Sequence, residues 1–383
     1  MKALVWQWGR RGAGPRLAAE FAAALRELPG HDGALSLSAQ AELLWGTAPP
    51  RCDLPFSTYS GLAGLLLRLP MTPFEVAPLA ARIRALAPDV AICAMPAALD
   101  LVMAAALRRA GVPFLVVVHD ADAHPGDGFP LQMTLQRWLV RRADGVIALS
   151  GHVARRLRAQ GLAAGKPLIM AAHPPFVFGP PPPPPRTHGG PLRLLSFGRL
   201  LPYKGLDLLA AALARLGARP DLSVRVVGSG PPSAALDALR RLNGVTVENR
   251  WVPEDEVGAL LAWADALVLS HTEASQSGVA AAAVSARRWV VATRVGGFTE
   301  QLSGEPLARF CDPAPESLAA ALRVLLESPP DPPPAGDPRA AWRGTATALA
   351  DRIATMLANR PAGAGDQPGA VGSIQPMWPS LRR

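Results

Sequence analysis

The 383 residues are 49% apolar and 18% charged, enough chain and enough apolar surface for two α/β domains, each with its own core. The formal charge is +9, with 18 basic and 12 acidic side chains in residues 1–180 against 21 and 18 in the rest, so the basic surplus lies in the N-terminal half and suits an anionic partner. No basic–aromatic ladder or zinc-finger spacing accompanies it, so nucleic acid is excluded as the expected partner, and Cys52, Cys93 and Cys311 are too scattered for a disulfide framework or a metal site.

Met1 to Trp8 lacks the long apolar core of a signal peptide, and no uncharged run approaches the roughly 20 residues of a spanning helix. A cytoplasmic protein is expected, with any membrane contact peripheral, at the inner face. The arginines of the pairs 108–109, 141–142 and 155–156, with Arg158, read equally as solvated helix faces or as membrane-facing charge.

In chain order, strands are predicted near 2–8, 34–38, 89–93, 114–118 and 144–149. Helices near 15–27, 75–87, 98–110, 131–142 and 151–160 alternate with them, the pattern of a parallel sheet with helical crossovers. Leu115 to Val118 has the continuous apolar character of a strand buried on both faces. His173-Pro174-Pro175, six prolines from Pro180 to Pro185 and Gly189-Gly190 then break the pattern, and an extended interdomain hinge is expected there. Strands resume at 192–197, 223–227, 245–247, 266–269 and 289–292. A second proline cluster at 329–334 precedes a helix near 339–359, and residues beyond Pro361 read as a disordered tail.

Ligands of such sheets bind beyond the C-terminal strand ends, so four post-strand loops matter most. Gly9 to Arg16 is a glycine-rich turn into a helix, either a tight turn or a phosphate or sugar contact. His119 to Gly128 packs two imidazoles and three carboxylates into a strand-end loop whose spacing matches no metal signature; no metal is expected. Ser196 to Asp207 sets Arg199 and Lys204 five residues apart between Gly198 and Gly205, where two cations converge on a diphosphate. Thr272 to Val279 follows the strand at 266–269.

The segment Phe197-Gly198-Arg199-Leu200 through Lys204-Gly205-Leu206-Asp207 resembles the donor-phosphate segment of family 4 glycosyltransferases. Thr272-Glu273-Ala274-Ser275-Gln276-Ser277-Gly278-Val279 resembles that family's donor-sugar loop, and Val290 to Gly297 with Glu300 resembles the strand and glycine turn after it. The resemblance is strongest over 192–302 and extends to the 9–16 and 119–128 loops. It implies an α/β GT-B fold: two Rossmann-like doubly wound domains facing a central cleft, with residues 1–172 on the acceptor side, 173–190 as linker, 191–335 on the donor-nucleotide side, 336–360 as a C-terminal helix and 361–383 as tail.

By the same resemblance, Arg199 and Lys204 neutralise the leaving diphosphate. His119 faces the reacting carbon and Glu273 joins the catalytic set. Gly12, Gly14 and Gly198 give the backbone close access to the donor, and Gln276, Ser277 and Gly278 offer it backbone N–H groups. No cofactor is implied beyond a UDP- or GDP-sugar donor. The partners implied are that donor, a saccharide or lipid-linked acceptor in polysaccharide assembly, and no nucleic acid.

Two departures stand out. Ala282 occupies the position of the family's second glutamate, the ribose ligand, and Arg287, Arg288 and Trp289 replace a glycine, a basic residue and a proline. A retaining hexosyltransferase is the reading that follows. A catalytically silent GT-B protein that binds a sugar nucleotide or partner is the first rival, and a sugar-nucleotide epimerase on the same architecture the second.

Overall fold

Continuous apolar runs bounded by helices are what a parallel sheet covered on both faces requires, and the chain builds two of them. The computed structural model describes residues 1–123, 126, 131–331 and 337–359. The N-terminal half contains β1 Lys2–Gln7, α1 Ala13–Arg26, β2 Asp32–Leu37, α2 Gly61–Arg68, α3 Thr72–Leu86, β3 Val90–Cys93, α4 Asp100–Ala110, β4 Phe114–Val118, α5 Gln132–Arg142, β5 Gly145–Ala148, α6 Gly151–Ala159 and β6 Leu168–Met170. The C-terminal half contains β7 Leu192–Phe197, α7 Leu206–Leu216, β8 Leu222–Gly228, α8 Ala234–Arg240, β9 Val245–Asn249, α9 Glu254–Trp263, β10 Ala266–Leu269, α10 Gly278–Ser285, β11 Trp289–Thr293, α11 Phe298–Gln301, β12 Ala308–Cys311, α12 Pro315–Glu327 and α13 Pro338–Ala358.

The first sheet runs β2-β1-β3-β4-β5-β6 and the second β12-β11-β10-β7-β8-β9, with every pairing parallel. Numbered within its own half, the second order is 3-2-1-4-5-6, the dinucleotide-binding arrangement. The strand order reverses at β1/β3 in one sheet and at β7/β10 in the other. Crevices therefore open at the loops after those strands, which carry Gly9 to Arg16 on one side and Gly198 to Lys204 and Thr272 to Gly278 on the other.

Local sequence sets the ends of these elements. The Ser150 hydroxyl caps α6 by accepting from Val153 N at 3.2 Å. α4 closes on Gly111 at φ +76°, with Arg108 and Arg109 in its last turn, where cations meet the negative end of the helix dipole. Along α13, Trp342, Ala346, Leu349, Ala350 and Ile353 recur at helical spacing and are buried, and the helix lies against α1. Full burial of each large side chain contributes about 1.5–3 kcal/mol, so the chain returns to the N-terminal half and is held there.

The proline linker differs from a free hinge. Buried Asp265 accepts from Arg186 N at 2.6 Å, Arg193 N at 2.8 Å and His188 Nε2 at 2.9 Å. Arg288 is 1% exposed and donates to the carbonyls of Ala286 and Ala264, each at 2.8 Å, and of Pro183. Desolvation draws its guanidinium down to about 10, a value still protonated at neutral pH. Trp289 Nε1 donates to Pro330 O at 2.9 Å. The unusual Arg288-Trp289 pair thus fastens both proline clusters to the second sheet. The stretch before Pro180 is tied as well, since Phe176 is buried and Pro175 O accepts from Trp342 Nε1 at 2.9 Å. The sequence-predicted tail at 361–383 lies outside the described residues, as do Pro332 to Gly336 of the second proline cluster.

Candidate functional site

Where β7 ends, Gly198 turns at φ +117°, a region other residues rarely enter. A Cβ placed on it would lie 3.4 Å from Val279 Cγ2 and 3.8 Å from Lys204 Nζ, so the phosphate-like turn, the lysine and the start of α10 surround one small volume. Gly205 is in the left-handed region at φ +62°, and a Cβ there would sit 2.0 Å from Ser270 O, so only glycine lets the two post-strand loops close on each other. Ser270 Oγ donates to Lys204 O at 2.8 Å and Thr272 N to Tyr203 O at 2.9 Å, sealing that contact.

Lys204 Nζ donates to His271 Nε2 at 2.9 Å. An ammonium has no lone pair, so His271 must present its own on Nε2 and carry its proton on Nδ1. Its ring packs edge-on against Phe298 with centroids 4.7 Å apart. Arg199 and Lys204 lie 5.9 and 5.4 Å from the Tyr203 ring centroid, so the two cations flank a single aromatic ring. His271 was not singled out from the sequence, although its place immediately after the β10 strand end was the available signal.

At the head of α10 the Ser277 hydroxyl caps Ala280 N at 3.3 Å. Ser277 N donates to Gln301 Oε1, and Gln301 Nε2 to Ser277 O, both at 2.8 Å. The Ser277 N–H therefore cannot serve a donor as expected. The N–H groups that the helix start leaves over are those of Gly278 and Val279, at the positive end of its dipole. A Cβ on Gly278 would come within 3.1 Å of the Phe176 ring and 3.7 Å of Ala13 Cβ, so the glycine loop of the first sheet arrives directly over this helix end. Gly12 is exposed there at φ +84°. Gly14 is buried instead, and a Cβ on it would strike Gln7 Nε2 at 2.8 Å, so its missing side chain serves packing rather than a ligand.

His119 closes the other side of the cleft. It is 9% exposed at the end of β4, with Nδ1 taking a 2.6 Å bond from Gln276 Nε2 and Nε2 facing Ala94 O at 3.3 Å. These partners assign an Nε2–H tautomer. Burial lowers its pKa, with Asp120 opposing, so the ring is neutral at pH 7. Gln276 Oε1 is buried without a hydrogen-bond partner, on the same carboxamide as the nitrogen that holds His119. His173 lies with its ring 6.1 Å from that of His119, and burial, then the neighbouring imidazole, pushes it down to about 4.

Glu273 is exposed on the same loop, and the side chain that reaches His119 is Gln276. Asp122 is taken up outside the cleft, bonded to Arg156 at 2.6 and 3.0 Å and to Gln160 at 2.8 Å, and the arginine holds its carboxyl below the ordinary range. His124, Pro125, Asp127 and Gly128 of that loop lie outside the described residues. A second seam unforeseen in the sequence joins the halves: Ser150 Oγ donates to Ser275 O at 3.2 Å, and Glu300 accepts from Gly151 N and, at 3.1 Å, from Arg155. Ala282 is 1% exposed within a run of four buried alanines, 280–283, so α10 is apolar on every side at the point where the family's carboxylate is missing.

Residues 191–328 match the family model described as glycosyl transferases group 1, and residues 45–170 the model described as glycosyltransferase family 4. The chain is 28% identical to 2-deoxystreptamine glucosyltransferase of Streptomyces kanamyceticus over 254 residues, 58% of this chain and 64% of that protein, so the match spans less than two thirds of the relative's length. Among solved structures it is similar to Anabaena Alr3699/HepE in complex with UDP and glucose, with a TM-score of 0.65 and 19% identity over 94% of this chain and 97% of the other. A glycosyltransferase from Rickettsia africae gives a TM-score of 0.63 and 15% identity over 94% and 99%. At these identities the structural likeness establishes the two-domain fold.

Proposed function

We propose that this chain, a GT-B protein resembling the family 4 glycosyltransferases, is a retaining hexosyltransferase that takes its sugar from a UDP- or GDP-sugar. The observation that carries the reading is the convergence, around one small volume, of Lys204, the Gly198 turn and the open N–H groups at the head of α10, with Arg199 flanking the same tyrosine as Lys204. Cations and helix-end N–H groups attract a diphosphate, most of all as it departs with the bonding electron pair. His119 is neutral and its ring nitrogens are committed to Gln276 and Ala94 O, so it shapes the pocket for a sugar and does not donate the proton.

In this reaction the donor C1–O bond breaks toward the diphosphate. The acceptor hydroxyl oxygen bonds to C1 from the same face, and its proton passes to the departing phosphate oxygen. A saccharide or lipid-linked acceptor is our reading of the N-terminal half, and the glucosyltransferase relative adds small aminocyclitol alcohols to the acceptors worth testing. The buried Ala282 keeps a second reading alive, in which the cleft binds a sugar nucleotide without turnover. Release of UDP or GDP from a donor panel, with and without acceptor, tests the proposal. Nucleotide binding with no release from any donor–acceptor pair favours the silent reading, and no binding at all overturns both.

A further inference from the structure

Eleven large apolar side chains among the described residues are exposed, and five of them, Leu66, Leu67, Leu69, Met71 and Phe74, fall in nine consecutive positions at the join of α2 and α3. Leu67 is 78% and Phe74 74% exposed, so these side chains project from the surface instead of lining a groove. Scattered exposed leucines are ordinary; a contiguous apolar patch on one helical corner marks an interaction surface.

The charges around the patch say what kind. Between Asp53 and Arg82 the sequence carries only Arg68 and Glu75 as charged residues. They neutralise each other at 2.5 Å, and their Nε and Oε2 atoms are buried. The tip is therefore electrically neutral from Leu54 to Ala81. Behind it, Arg82 and Arg84 on α3 and Arg108 and Arg109 at the end of the adjoining α4 are exposed. Nearby acids are occupied: Asp53 pairs with Arg26 and Arg51, and Asp89 accepts from Lys2 N. An apolar projection with a collar of cations complements a bilayer surface, whose hydrocarbon boundary takes the leucines and whose anionic headgroups take the arginines. No helix among the described residues is long and apolar enough to cross a membrane, so the contact is in-plane.

We propose that the α2–α3 corner docks this chain on an anionic lipid bilayer. The inference stands apart from the transferase reading, since it uses no residue of the cleft. The full chain is sedimented with vesicles of phosphatidylcholine alone and of phosphatidylcholine with phosphatidylglycerol, and its mass in solution is measured by light scattering. Co-sedimentation with the anionic vesicles, weakened by salt and nearly lost with the neutral ones, is expected. Leu67→Asp with Phe74→Asp should lower partitioning by about tenfold or more, and the milder Leu67→Ser with Phe74→Ser by less, with thermal unfolding unchanged in both because the sites are exposed. Arg82→Glu with Arg84→Glu should remove the preference for anionic vesicles. Failure of the wild-type chain to bind either vesicle overturns the proposal, as does a wild-type dimer that Leu67→Asp dissociates, which would make the corner an interface between copies.

Discussion

Replacing Lys204 with methionine removes one ammonium while keeping an unbranched stem, and two separable losses follow. His271 Nε2 forfeits a donor at 2.9 Å, which costs about 1–3 kcal/mol of folding stability for a buried acceptor. The proposed diphosphate forfeits a charge-assisted contact, about 1.5–3 kcal/mol or roughly 10 to 150-fold in nucleotide affinity. Thermal unfolding of the unliganded protein reads the first, and calorimetry with UDP and GDP reads the second. His271→Phe keeps a ring against Phe298 but releases the ammonium, so it should weaken nucleotide binding less than Lys204→Met. The two substitutions should also be strongly non-additive in binding, because once the lysine is gone nothing remains for the histidine to aim. Unchanged nucleotide affinity in Lys204→Met refutes the assignment of this corner to the diphosphate. Additive effects refute the positioning role of His271.

Ala282→Glu places a carboxylate in a site that is 1% exposed and apolar on every side, so it should lower stability by at least about 3 kcal/mol; an unchanged melting temperature in scanning fluorimetry would show that the position opens to the cleft. Gly205→Ala combines a left-handed backbone with a Cβ 2.0 Å from Ser270 O, and should abolish nucleotide binding or soluble expression, measured by calorimetry and yield. His173, held at about 4 against an ordinary 6.5, contributes stability above pH 6.5 that is lost as pH falls through 4. His173→Phe should flatten that acid loss, on the order of 1–3 kcal/mol, in urea unfolding at several pH values. Asp100 has the opposite sign: burial raises it to about 7 from 3.8, so its contribution is present below pH 4 and is lost as pH rises through 7. Asp100→Asn should therefore gain relative to wild type between pH 5 and pH 8 in the same titration.

The strands legible in the sequence are those buried on both faces, such as Phe114 to Val118, where apolar continuity and length decide the matter. The strands at Leu168–Met170 and Ala308–Cys311 escaped notice because each is a short sheet edge, three or four residues long, and the second carries an exposed arginine. The helix at Gly61–Arg68 escaped because Leu65 packs against the core while its neighbours Leu66 and Leu67 stay exposed, so its run of leucines lacks the apolar–polar alternation that marks an ordinary surface helix. Within the site, glycines and cations at strand ends could be found because they are punctuation in one dimension. Gln276 reaching His119 and His271 holding Lys204 join residues 157 and 67 positions apart, and no local spacing announces such pairs. Within the Arg287 to Trp289 departure, Arg288 and Trp289 fasten the two proline runs, a role visible only once Pro183 O and Pro330 O are seen to be their acceptors.

That fastening governs how the two halves could be exchanged with those of a related enzyme. A chimera joined at the start of the second sheet, near Pro191, would strip Asp265 of Arg186 and His188 and Arg288 of Pro183, leaving a buried carboxylate and a buried guanidinium short of partners. Cut ahead of Pro180 and carrying the prolines along, the same donor half takes its own partners with it. The helix from Pro338 to Ala358 belongs with the other parent, since its apolar face was shaped against α1. The transferable unit is therefore the second sheet together with both of its proline straps, and swaps built on sheet boundaries alone should give insoluble protein.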